Sequence, residues 1–121
     1  MAKVRVYTAN LGFYEVAVAA RSQQMALAHW GAKRDLFRAG LKNTRFKLLD
    51  SEGSYFQCVD YSAISDATEE AFCRHLTRDV GVAAIPLSAF YPGRFEQRIV
   101  RFCFAKQDAT LQRALERLAR V

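Results

Sequence analysis

Residues 98–118 place a strand pattern directly before a helix pattern, and that pair constrains the fold more than any other feature. In "RIVRFCFAK", residues 98–106, Val100, Phe102 and Phe104 alternate with Ile99, Arg101, Cys103 and Ala105. This is the period of a half-buried β-strand, with side chains pointing to opposite faces in turn. In "DATLQRALERLAR" the apolar residues Leu111, Ala114, Leu115 and Leu118 fall on one helical face, with Asp108 placed to cap the helix. Arg113, Arg117 and Arg120, with Glu116 among them, make a solvated face. An apolar strand face and an apolar helix stripe bury each other, which predicts an α/β fold.

The rest of the chain extends the pattern. "KVRVYT" (3–8) and "YEVAVAA" (14–20) alternate around the turn "NLGF" and read as a hairpin. Ser22 is placed to cap "QQMALAHW", Gly31 to end that helix, and a further short helix is expected over Lys33–Ala39 with Leu36 and Phe37 inward. "RFKLLD" (45–50) and "YFQCVDYS" (55–62) read as strands around the turn "SEG". Asp66 followed by Glu69 resembles a capping box, and Phe72, Leu76 and Val80 then recur at helical spacing up to Gly81. "VAAIPLSAF" reads as a buried strand that Pro86 turns into a loop, and "YPGR" as a turn. The order ββα-ββα-ββα predicts a two-layer sandwich in one domain, residues 1–121. Its sheet would be mixed or mostly antiparallel, with the helices packed on one face.

With 51% hydrophobic and 25% charged residues the chain can bury a core and is not a disordered polymer. It contains no apolar run of membrane-spanning length and starts without a signal-peptide core, so a cytoplasmic protein is expected. The net charge of +6 is spread along the chain, and no nucleic-acid-binding motif accompanies it. "RFKLL" and "VRFCF" interleave basic and aromatic residues, a pattern that half-buried strands share with single-strand platforms.

Candidate chemistry is sparse. Cys58, Cys73 and Cys103 are an odd, widely spaced set, read as buried reduced thiols rather than a disulfide framework or a zinc site. His29 and His75 have no carboxylate or cysteine at ligand spacing, so no metal site is expected. Cys103 or Ser88 would be the candidate nucleophiles, but nothing in the sequence supplies a base. Arg101 stands out: a fixed positive charge in a small apolar row, explained either by pairing with Asp60 or Glu96 or by a ligand anion.

A resemblance bears on that choice. "KRDLFRAGL", "EGSYFQCVDYSAISD", "AFCRHL", "GVAAIPLSAFY" and "RIVRFCFAK" follow one another as in class I/II pyridoxal-phosphate aminotransferases of the methionine and kynurenine type. The likeness covers residues 33–121 and corresponds only to the C-terminal small domain of those enzymes. It implies an α/β sandwich in which Arg101 grips the α-carboxylate of a substrate, which a planar guanidinium does with two parallel hydrogen bonds. It implies also that the loop holding Pro86, Leu87, Ser88 and Phe90 lines the substrate entrance. Leu87 departs from the small residue usual there.

The family's cofactor chemistry needs a Schiff-base lysine, an acid for the pyridine nitrogen, a phosphate cradle and a stacking aromatic. None of Lys3, Lys33, Lys42, Lys47 and Lys106 lies in a matching motif, so no cofactor and no catalysis are expected. Residues 1–40 resemble instead small uncharacterised bacterial proteins with a VY…GF…WG…DLF pattern. This predicts a chimera, natural or engineered, joined near residues 31–40, in which Phe13, Met25 and Trp30 cover exposed surface of the small domain. A domain without its larger partner would also favour a homo-oligomer.

Overall fold

The computed structural model of the chain describes residues 5–11, 14–20, 23–50, 55–90, 92–93 and 96–121, with side-chain surroundings from Trp30 onward. Ser22, Phe13, the turn "SEG" and part of "YPGR" lie outside the described residues, as do the side chains of Met25 and His29. The elements run β1 (Arg5–Leu11), β2 (Tyr14–Ala20), α1 (Gln23–Leu41), β3 (Lys47–Leu48), β4 (Phe56–Asp60), α2 (Glu69–His75), β5 (Ile85–Pro86), β6 (Ile99–Cys103) and α3 (Asp108–Leu118). β1 and β2 form a two-stranded sheet of their own, while β3–β6 make a four-stranded antiparallel sheet in the order β3-β4-β6-β5. The expectation of a single sheet is corrected in this respect.

α1 is one helix where two were expected. Gly31 costs about 1 kcal/mol inside a helix. Trp30, Phe37 and Leu41 are all buried along its length, and that packing carries the helix through the glycine. It stops when Asn43 N–H and Thr44 N–H fold back onto Gly40 and Leu41 carbonyls, with Thr44 Oγ1 donating to Leu41 O at 2.6 Å. Gly40 is where α1 meets α3. A Cβ there would collide with the Leu115 side chain, whose Cδ2 would lie 2.8 Å away.

The cap of α2 is also shifted. Thr68, not Asp66, is the N-cap, its Oγ1 accepting from Ala71 N–H at 3.2 Å. Asp66 pairs instead with Arg98 at 3.1 Å. Beyond His75 the helix widens into a π-helical turn, Leu76–Val80, and ends at Gly81, whose φ of 83° suits a residue without Cβ. Asp108 does not cap α3 but is its first residue. Gln107 is the N-cap, and Asp108 takes an ion pair from Lys33 of α1 at 2.6 Å.

The core gathers around Phe102. Val100, Phe102 and Phe104 are buried as the alternation requires. The Phe102 ring meets Phe46 edge-on at 5.7 Å and Phe37 at 5.9 Å, and Tyr61 stacks on Phe72 at 4.1 Å. Leu111, Leu115 and Leu118 of α3 close this cluster. β4 places Gln57 and Val59 on the core side, with Gln57 fully buried. Its side chain is satisfied there: Oε1 accepts from Arg38 Nη1 at 2.7 Å, and Nε2 donates to the carbonyls of Leu49 and Cys58.

Candidate functional site

Arg101 lies on the sheet face turned away from this core. Register sets Cys58 opposite it on β4 and Ile85 opposite it on β5, with Phe56 opposite Cys103 one step further. The guanidinium carbon sits 3.8 Å from the centre of the Phe56 ring and 4.1 Å from that of Phe90, so an aromatic lies against it on each side. Such contacts are worth about 0.5–2 kcal/mol each, more when water is excluded. Burial pulls the guanidinium pKa down, and the neighbouring Cys58 and Cys103 thiols partly restore it. The charge is kept nonetheless, as for any arginine.

The pairings that would make Arg101 merely structural are not formed. Asp60 accepts from Ser62 N–H at 2.7 Å, and Glu96 accepts from Glu69 N–H at 3.0 Å. No carboxylate among the described residues pairs with Arg101, and its Nε is buried without a hydrogen-bond partner. A buried unpaired donor costs about 1–3 kcal/mol, which an incoming anion would remove.

The loop expected at the substrate entrance borders this place. Pro86 is paired in β5 with Val100, and Leu87–Phe90 form a 3₁₀ turn in which Leu87 is half-buried. Ser88 is buried, and Phe90, 55% exposed, reaches over Arg101. The side chain that seats this loop is one the sequence marked only as a helix-capping residue. Glu69, wholly buried at the start of α2, accepts from Ser88 N–H at 2.7 Å through Oε1, and from Gln97 N–H at 2.7 Å and Ile99 N–H at 3.4 Å through Oε2. The last two donors flank Arg98, whose φ of 58° is left-handed. One carboxylate thus fixes both ends of the segment between β5 and β6.

The cysteines divide. Cys73 is buried, and its pKa is pushed up to about 12 by that burial and by Glu69. Cys58 and Cys103 are half-buried on the Arg101 face, which corrects the expectation of three buried thiols. Burial raises both their pKa values, with Arg101 opposing it, so Cys103 is no ready nucleophile. His75 Nδ1 lies 2.8 Å from Asp79 on an exposed helix face. No cluster of three metal-ligating residues occurs among the described residues.

A cavity of about 640 Å³ opens beside Arg101, between β6, residues 81–85 and α3. Its charged lining residues are Arg101, Lys106, Arg113 and Arg117, with no Asp or Glu among them. Across it Arg117 Nη1 donates to Gly81 O at 3.0 Å.

The sequence profile of the family described as "Aminotransferase class I and II" matches residues 15–118. The chain belongs to this family. It is 48% identical over 86 residues to the methionine aminotransferase of Escherichia coli K12, covering 71% of this chain and 22% of that enzyme. It is 41% identical over 97 residues to a probable N-succinyldiaminopimelate aminotransferase of Mycobacterium tuberculosis, covering 73% and 24%. Among solved structures it superposes on Escherichia coli YbdL, a methionine aminotransferase, with TM-score 0.76 at 44% identity, over 80% of this chain and 26% of that one. The chain therefore spans about a quarter of the length of the relatives it matches.

The family's pyridoxal phosphate requires a free lysine and an acid facing the pyridine nitrogen. Lys33 is bound to Asp108, Lys42 and Lys47 are exposed, and Lys106 borders a cavity with no acidic lining. Lys3 lies outside the described residues. The residues described do not fit the cofactor. Among the described residues no helix is long and apolar enough to cross a membrane.

Proposed function

We propose that this chain is an aminotransferase small-domain unit that binds amino- or keto-acid carboxylates weakly through Arg101 and does not turn them over. The observation that carries the reading is the guanidinium held between Phe56 and Phe90 with Nε buried and unpaired. The absence of an acid from the cavity lining supports the lack of turnover. In this reading the helices cover one face of the sheet as a two-layer sandwich. Residues 1–40, of which the family match covers 15–40, are a hairpin-and-helix segment joined to a small domain over residues 33–121, and the protein works in the cytoplasm.

One charge-assisted contact supplies about 1.5–3 kcal/mol, which places affinity in the millimolar range or weaker. Calorimetry with methionine and its keto acid tests it: wild type gives a saturable heat that Arg101→Ala loses. Equal heats from both proteins would overturn the binding reading. Turnover in a transaminase assay with added pyridoxal phosphate, with a borohydride-trapped lysine, would overturn the inactive one.

The exposure of Phe90, the one large apolar side chain exposed among the described residues, favours a second role. Two copies would bury this face as a homo-oligomer. Sedimentation at high concentration showing only monomer would refute that.

A further inference from the structure

On its α3 side the cavity combines uncompensated positive charge with apolar walls. Arg113 and Arg117 line it one helical turn apart, and no Asp or Glu lines it with them. Like charges four residues apart on a helix repel, and an anion facing both relieves the repulsion. Neither arginine forms an ion pair with a carboxylate among the described residues, Glu116 of the same helix included. Arg117 Nη1 donates to the Gly81 carbonyl at 3.0 Å, which engages only one of the five donors a guanidinium carries. The apolar walls come from Val82 and Ala84 after Gly81, from Leu111 and Ala114 of α3, and from Phe37 and Phe102 of the core. The cavity's volume of about 640 Å³ lies within the roughly 300–1,000 Å³ of small-molecule sites.

We propose that this cavity binds a medium-chain fatty carboxylate, its head on Arg113 and Arg117 and its alkyl tail between Val82, Ala84, Leu111 and Ala114. Charge selects the head. Residues one turn apart on a helix are about 5–6 Å apart at Cβ, so one carboxylate can be shared by both guanidinium forks. The walls select the tail. A short acid leaves them wet, and each methylene taken out of water improves binding about fourfold until the cavity is full. A second charge at the far end of the ligand would be driven against Phe37 and Phe102, so a single anionic end is required. Arg101 borders the cavity, but its guanidinium is held against Phe56 and Phe90 on the sheet face away from α3, and it supplies no anchor here. The site is therefore separate from the carboxylate edge of Arg101 and does not depend on it.

Calorimetry on the full chain with butanoate, hexanoate, octanoate and 1-octanol tests the proposal. The expected affinity rises about fourfold per methylene from butanoate to octanoate. Octanoate binds about tenfold tighter than 1-octanol, the gain one charge-assisted contact supplies. In Arg113→Gln/Arg117→Gln octanoate falls to the affinity of 1-octanol, and 1-octanol is unchanged. Arg113→Gln alone, at an exposed side chain, gives a partial loss in the same direction if the double variant does not fold. Arg101→Ala leaves the octanoate affinity unchanged. An affinity that does not grow with chain length would overturn the proposal, as would a preference for octanoate over 1-octanol that survives the α3 substitutions. Octanoate binding lost in Arg101→Ala would overturn it by giving the anion to Arg101. Binding to vesicles of anionic phospholipid with no heat from free octanoate would overturn it by making α3 a membrane-facing surface. Heat from methionine but none from octanoate would overturn it and leave the Arg101 site standing.

Discussion

Glu69→Gln tests the way the site segment is held. Glu69 is fully buried, and two strong bonds converge on it, from Ser88 N–H and Gln97 N–H at 2.7 Å, on different oxygens. A glutamine keeps one acceptor and turns an NH₂ donor toward the other backbone N–H. One buried donor then loses its partner and faces another donor, at a cost of about 1–3 kcal/mol. The Ile99 contact at 3.4 Å is long and adds little. Losing the buried negative charge offsets some of the cost, since no cation is paired with it among the described residues. A net loss of about 2 kcal/mol is expected, which lowers the melting midpoint by roughly 8 °C for a chain of this size. Thermal unfolding gives the magnitude, and amide hydrogen exchange gives the place. Ser88 and Gln97 should exchange faster, while Phe72 and Leu111 in the core keep their protection. A midpoint within 2 °C of wild type (roughly half a kcal/mol), with Ser88 and Gln97 still protected, would refute the reasoning.

Three further substitutions probe the packing, the buried thiol and the ring over Arg101. Gly40→Ala forces the Leu115 side chain aside and should destabilise the fold by about 1–3 kcal/mol in a urea titration, whereas Gly31→Ala, with open space at its Cβ, should be neutral or stabilising. Cys73, with its folded pKa raised to about 12, binds its proton more tightly folded than unfolded. Its stabilising effect is complete below the ordinary thiol range near pH 8.5 and is lost as pH rises toward 12, so Cys73→Ala should flatten the alkaline melting profile over that window. Phe90→Ala removes one ring from Arg101 and should shift the Arg101 Nε–H resonance with little change in stability; an unmoved resonance would show that the ring does not rest there.

Much of the fold was legible because it is local. The alternation of residues 99–104 and the spacing of Leu111, Leu115 and Leu118 each encode a face, and those faces are buried. What failed was decided by partners distant in sequence. Gly31 does not end α1, because Trp30, Phe37 and Leu41 are all held by packing. Cys58 is only half-buried because β4 turns Gln57 to the core, where Arg38 and the Leu49 and Cys58 carbonyls satisfy its amide. Glu69 looked like a capping residue, and its true partners lie 19 to 30 residues further along the chain.

The arrangement around Arg101 also limits what can bind it. Rings lie against the guanidinium carbon at 3.8 and 4.1 Å and crowd the approach to its plane. Its donors lie in that plane, so a planar carboxylate approaching edge-on meets two parallel N–H groups. Nε–H, buried and unpartnered, belongs to such an edge. The rings attract the charge but accept no conventional hydrogen bond from Nε–H, so they hold the side chain in place without satisfying it. Lysine in this position would lose both the flat stack and the paired donors, because its ammonium is a point charge. In the proposed reading, the demand for arginine comes from the two rings and the ligand edge together. Phe90, carried on the segment that Glu69 ties down, is the part of that demand set furthest from the strand itself.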